Sequence, residues 1–123
     1  MSGFALVVED STDLRDLFRR LLEEAGFEVV TTYSVATALQ ALEDKVPDVI
    51  TLDLNLPGGS GREVLQVVRA TPRLAQTRVI IVTAYPDEAD DLYDEADLVL
   101  AKPVGYKQLQ DLVLRLAGWK RTG

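Results

Sequence analysis

Five short apolar runs alternate with stretches of helical periodicity, and that alternation constrains the fold more than any other feature of this chain. The runs cover residues 4–8, 27–31, 49–52, 79–82 and 98–101. They are rich in apolar and β-branched residues, and the first is apolar on both faces of the pleat, the pattern of a strand buried on two sides. Between the runs, apolar residues recur at helical spacing. The first stripe is Leu14, Leu17, Phe18, Leu21, Leu22 and Ala25, and the second is Val35, Ala38, Leu39 and Leu42. Val64, Leu65 and Val68 mark a third; Tyr106, Leu109, Leu112, Val113, Leu116 and Ala117 mark the last. Ser11-Thr12 and Ser34 offer N-caps, Gly26 is a natural stop, and Thr71-Pro72 closes the third helix. The acidic segment from Pro86-Asp87 to about Glu95 has the faintest periodicity and predicts a short fourth helix.

Five rounds of strand then helix predict a parallel sheet with helices on both faces. Right-handed crossovers leave few topologies. The expected fold is α/β: a doubly wound (βα)5 flavodoxin-like sheet in the order 2-1-3-4-5. At 123 residues the chain has the size of one domain, so residues 1–123 are expected to form it without a linker, an output domain or a repeat. No apolar run approaches the roughly 20 residues of a membrane-spanning helix. No charged-then-apolar leader opens the chain, and a cytoplasmic location is expected. The chain has no cysteine and no histidine, which excludes disulfides, thiolate chemistry, Ser-His-Asp triads and the usual zinc ligands. A net charge of −7 argues against direct nucleic-acid binding through a basic face. It suits a protein partner, or a site that gathers carboxylates around a cation.

The strand ends carry the chemistry. In the 2-1-3-4-5 order, the first, third, fourth and fifth strands open onto one crevice at their carboxyl ends. The residues there are Glu9-Asp10, Asp53, Thr83 and Lys102. Singly each has an ordinary reading: a capping acid, a turn residue before Pro57-Gly58-Gly59, a strand-end hydroxyl, a solvated lysine. Jointly, one set per strand end, they form a site. Three carboxylates repel one another unless a cation or the lysine neutralises them. Hard oxygen ligands beside an open position suit Mg2+. An ammonium and a hydroxyl next to that cation are the groups that hold a transferring phosphoryl. Asp53, at the centre, is then the nucleophile that becomes an acyl phosphate.

With Glu9-Asp10, the run from Asp53 to Pro57 with Gly61, Thr83-Ala84 and Lys102-Pro103 in place, essentially the whole chain resembles the receiver domain of two-component response regulators. The resemblance implies that Asp53 is the phospho-acceptor and that Asp10 and Asp53 ligate Mg2+. Glu9 would act through water, and the backbone carbonyl of Asn55 would be a further ligand. Thr83 and Lys102 would hold phosphoryl oxygens, and Lys102-Pro103 would be a cis peptide. The donor would be a phosphohistidine on a sensor histidine kinase or histidine phosphotransfer protein. The receiver of the signal would be an output protein or domain, with a homodimer as a further assembly. Acceptance and self-catalysed loss of the phosphoryl would make the chain a switch and not a turnover enzyme.

Several positions depart from the family pattern. A Tyr or Phe usually stands three residues before the lysine and turns inward when the threonine engages the phosphoryl; here the residue is Val99, which has no such rotor. The span from Thr83 to Lys102 is shorter than typical by roughly one helical turn, taken from the fourth helix. Many members use that surface for phosphorylation-dependent dimers. Glu95 replaces a loop glycine, and Val104 follows Pro103 where an aromatic is commoner. Tyr85 is either an alternative gate or an exposed aromatic at the site mouth.

Three rival readings exist. A haloacid-dehalogenase-like phosphatase needs a second acid two residues after its nucleophile, where this chain has Asn55. A flavodoxin-like nucleotide or flavin binder needs a glycine- or hydroxyl-rich loop after the first strand, where this chain has Glu9-Asp10-Ser11. The remaining alternative is a receiver-like docking module that is not phosphorylated.

Overall fold

The computed structural model describes residues 3–118; residues 1–2 and 119–123, including Lys120-Arg121, lie outside the described residues. The chain runs β1 (Phe4–Val8), α1 (Thr12–Glu24), β2 (Glu28–Thr32), α2 (Val35–Asp44) and β3 (Val49–Leu52). A two-residue hairpin, β4 (Asn55–Leu56) and β5 (Gly59–Ser60), comes next. Then follow α3 (Gly61–Ala70), a 3-10 turn (Pro72–Leu74), β6 (Arg78–Thr83), a 3-10 segment (Pro86–Leu92), β7 (Leu98–Ala101) and α4 (Tyr106–Ala117).

The main sheet is parallel throughout, in the order β2-β1-β3-β6-β7. Leaving aside the small hairpin, this is the expected 2-1-3-4-5. Alternate residues of each strand feed two cores. Leu6, Val8, Ile50, Leu52, Val79 and Ile81 face α2, α3 and the Pro86–Leu92 segment. Ala5, Val7, Val49, Ile80 and Val82 face α1 and α4. Both faces are covered, which is why the strand sequences show so little alternation.

The local signals act as capping chemistry predicts. Ser11 Oγ accepts from Leu14 N, and Ser34 and Thr37 form a reciprocal capping box on α2. Gly26, at φ +101°, ends α1. Its N–H donates to Glu23 O, and Phe27 N–H donates to Leu22 O, the paired bonds of a Schellman stop. Phe27 is thereby drawn into the helix exit, and β2 begins one residue later than the apolar run suggested.

Two expectations are corrected in detail. The fourth connection is 3-10 and not α-helical. Its buried residues, Ala89 and Leu92, are three apart, matching a three-residue turn, and the rest is mostly carboxylates with nothing to bury. Arg62 staples it to α3 by an ion pair to Asp91 at 2.8 Å and a hydrogen bond to Glu88 O. Ala117 is exposed, because α4 buries Leu109, Val113 and Leu116, an i, i+4, i+7 stripe that Ala117 falls beside.

Gly61 sets the geometry of the turn after β3. Its N–H donates to Leu54 O at 2.9 Å, and a Cβ on it would lie 2.2 Å from Asp53 O and 3.0 Å from Leu54 Cα. Backbone cannot retreat as a flexible side chain can. Gly61→Ala is therefore expected to cost about 3 kcal/mol, read as a lower urea midpoint at unchanged slope. A loss below about 1 kcal/mol would show that the turn relaxes.

Candidate functional site

The sheet's own hydrogen bonds carry the strand-end residues to their places. Val8 pairs with Leu52, and beyond the paired strands Asp53 N–H donates to Val8 O and Glu9 N–H to Thr32 O, both at 3.0 Å. On the other side Thr83 pairs with Ala101, and Lys102 N–H donates to Thr83 O at 2.8 Å. Each residue leaves the sheet from a backbone already fixed by ladder bonds. The Lys102-Pro103 bond is cis, as the resemblance implied.

Glu9 and Asp53 are 1% and 5% exposed, so both acids are all but removed from water, while Asp10 is exposed. One carboxylate oxygen of each of the three lies within 4.8 Å of the others. The Lys102 ammonium bridges the buried two, at 2.8 Å from Glu9 Oε1 and 2.9 Å from Asp53 Oδ2. Backbone donors hold the remaining oxygens: Ser11 N–H on Glu9 Oε2 at 3.0 Å and Asn55 N–H on Asp53 Oδ1 at 3.1 Å.

Burial pushes the Glu9 carboxyl above its ordinary range, and the Lys102 ammonium and the Ser11 N–H only partly offset this. Burial alone would lower Lys102; the paired Glu9 and Asp53 outweigh it and hold the ammonium above its usual value. Glu9 Oε1 is buried and has no aligned hydrogen bond, although it is ion-paired. A buried carboxylate oxygen with spare acceptor capacity, beside two more acids, fits a hard oxygen-seeking cation.

Thr83 is fully buried and lies on the strand between Asp53 and Lys102 in sheet order; its Oγ1 accepts the Tyr85 N–H at 3.1 Å. Tyr85 itself is 61% exposed. Val99 is half-buried against the α2–α3 side of the sheet. The structure thus brings Glu9, Asp10, Asp53 and Lys102 into contact range, with Asn55 joining through its N–H.

Sequence reading missed Arg15. Its guanidinium donates to Glu9 O at 2.9 Å and Asp10 O at 3.3 Å, so it touches the backbone of both acids. The only sequence signal was an arginine in the first turn of a helix that follows two carboxylates, which is too common to single out. Sequence reading also left open whether a cation or Lys102 offsets the carboxylates, and the structure puts the ammonium on Glu9 and Asp53 at once.

Comparison with known proteins places this arrangement. The family model described as the response regulator receiver domain matches residues 5–114. The phosphate regulon transcriptional regulatory protein PhoB of Klebsiella pneumoniae is 38% identical over 115 residues, covering 89% of this chain and 49% of PhoB. This chain spans about half the length of such PhoB relatives. The polar-differentiation response regulator DivK of Brucella ovis is 35% identical over 91 residues, 74% of each chain. Among solved structures, response regulator protein TrrA of Thermotoga maritima, in complex with Mg2+-BeF, superposes with a TM-score of 0.82. It is 30% identical and covers 93% of this chain and 98% of that one.

Lys102 offers a test of the electrostatics. In Lys102→Met, two buried carboxylates lose their counter-charge, and the folded state is expected to lose about 2 kcal/mol near neutral pH. Without the ammonium the Glu9 carboxyl rises further, so the folded state takes up a proton that the unfolded chain releases. Stability of the variant then falls as pH rises. Urea midpoints at about pH 7.5 and about pH 5 should show the gap to wild type narrowing at the lower pH. A gap independent of pH would make the loss one of packing.

Proposed function

This chain belongs to the response regulator receiver domain family, and from that premise we propose that Asp53 accepts a phosphoryl group from a phosphohistidine on a sensor histidine kinase or histidine phosphotransfer protein. The observation that carries the proposal is the convergence of Glu9, Asp10 and Asp53 within 4.8 Å under a single lysine that touches both buried acids. In the transfer, an Asp53 carboxylate oxygen bonds to phosphorus as the phosphorus–nitrogen bond to the donor imidazole breaks. The imidazole keeps the bonding electron pair, and an acyl phosphate forms on Asp53. Loss of the phosphoryl to water returns the carboxylate.

Glu9, Asp10 and Asp53, with the Asn55 carbonyl, are the residues that would hold Mg2+, which when bound offsets negative charge on the phosphoryl oxygens. TrrA, similar over nearly its whole length, is a Mg2+-BeF complex, and this supports the assignment. Lys102 is charged, partly buried and already aimed at Asp53, so it can follow a phosphoryl built there with little movement. Thr83, at the adjoining strand end, contributes its hydroxyl. A docking module that is never phosphorylated has no use for three mutually repelling carboxylates.

The output follows from the relatives as a proposal. The PhoB relatives are transcriptional regulatory proteins twice the span of this chain, whereas DivK is matched over most of its length. Residues 1–123 form the receiver unit, acting in the cytoplasm on an output protein or domain, with a second copy of the chain as a further partner. Among the described residues no helix is long and apolar enough to cross a membrane.

Val99 provides no swinging ring, so Tyr85 takes that part in our reading. Its N–H is bonded to the hydroxyl of Thr83, and a Thr83 that turns toward a phosphoryl oxygen must alter that bond. A fluorine label on Tyr85 should shift when Mg2+ and beryllofluoride are added together; an unmoved signal with the site saturated would remove Tyr85 from the switch.

Phosphorylation itself is tested by incubation with a small-molecule phosphodonor and Mg2+, read by intact mass. Wild type should gain one phosphoryl, and Asp53→Ala or removal of Mg2+ by chelation should abolish the gain. Wild type without an adduct would overturn the proposed function.

A further inference from the structure

We infer that Arg15 is a positioning residue for the cation site, fixing the backbone from which Glu9 and Asp10 hang and itself held in place by Tyr33. The inference rests on the proposed reading of those acids as cation ligands. Arg15 lies in the first turns of α1, and its main chain takes the ordinary helical place, with N–H donating to Ser11 O at 2.8 Å. Its side chain folds back over the connection between β1 and α1. Nη1 donates to Glu9 O at 2.9 Å and to Asp10 O at 3.3 Å, and Nη2 to Thr12 Oγ1 at 3.4 Å. The two carbonyls flank the acids' own connection, so the guanidinium clamps the backbone between β1 and the helix cap.

The acids differ in how much they need this. Glu9 is buried and also held through Ser11 N–H and Lys102. The Asp10 carboxylate is exposed, and the contact that the structure gives this residue is made by its backbone carbonyl, on Arg15 Nη1. Its position is therefore set by its backbone, and that backbone is what Arg15 secures. Tyr33 completes the brace: its ring lies 5.8 Å from the guanidinium carbon, a cation–π distance. It follows Thr32, whose carbonyl accepts the Glu9 N–H. The end of β2 thus supports the β1 connection both directly and through Arg15.

Charge and position make opposite predictions. As a mere positive charge beside the acids, Arg15 would repel a cation, and its removal would tighten binding. As a brace, its removal would weaken binding, as loss of a residue that orients a metal ligand does. Titration calorimetry of the full chain with Mg2+ alone separates the two. Arg15→Ala should raise the Mg2+ Kd about tenfold, while its melting temperature without metal stays within a few degrees of wild type. Arg15→Lys keeps the charge but loses the planar guanidinium, whose Nη1 reaches both carbonyls while Nη2 is held on Thr12 Oγ1, and should also bind more weakly. Tyr33→Phe should bind as wild type, and Tyr33→Leu a few-fold more weakly. Mg2+ binding by Arg15→Ala as tight as wild type or tighter would overturn the inference. If that variant does not fold, the same result with Arg15→Lys would do so. Wild type that fails to bind Mg2+ would instead overturn the proposed function beneath it.

Discussion

Mutual repulsion of carboxylates at one edge of a buried sheet is the constraint to which the rest of this end of the molecule answers. Glu9 and Asp53 are almost completely withdrawn from water, where an uncompensated negative charge is expensive. The chain meets that cost with one ammonium shared between them and with a backbone N–H on each. The compensation is incomplete, as the upward displacement of Glu9 shows. Incomplete compensation accords with the proposed site for a cation and a phosphoryl, since acceptors short of partners gain from a cation.

The parallel sheet makes such a cluster affordable. Ladder bonds fix the backbones of Glu9, Asp53 and Lys102 independently of their side chains, and two packed cores hold the strands from both faces. The turn after β3 is equally constrained, since Gly61 brings the start of α3 against the Asp53 carbonyl. Tyr85, at the rim, is by contrast exposed. Acids placed by fixed backbone beside an exposed rim suit the proposed switch, in which a ligand biases one arrangement over another.

Legibility in the sequence followed the physics of burial. The inner strands β1, β3 and β6 are covered on both faces and nearly all apolar, and the edge strands β2 and β7 keep enough apolar residues that all five could be read to within a residue or two. The site was readable for the related reason that an acid ending an apolar run is conspicuous. Ala117 and the Pro86–Leu92 segment were not, because periodicity over one or two turns does not separate a 3-10 segment from a short α-helix, nor a helix's buried edge from its exposed one. The β4–β5 hairpin around Gly58, at φ +75°, was visible only as a turn. Arg15 escaped because its contacts with the two acids are to their carbonyls, and main-chain acceptors leave no trace in residue identity.

The sequence by itself determined the α/β architecture and the strand order, and with them the placing of Glu9, Asp10, Asp53, Thr83 and Lys102 at strand ends along one edge of the sheet, because hydrophobic period and crossover handedness leave few alternatives. Only the tertiary structure decided which groups satisfy which: Lys102 shared by Glu9 and Asp53, Ser11 and Asn55 N–H groups on their outer oxygens, Thr83 bonded to the backbone of Tyr85, and Arg15 closed over the β1–α1 connection under Tyr33. The reason is one of scale. A period locates an element to within a turn, whereas a hydrogen bond or ion pair is made or lost within a few tenths of an ångström, and that placement is settled by packing across the whole sheet.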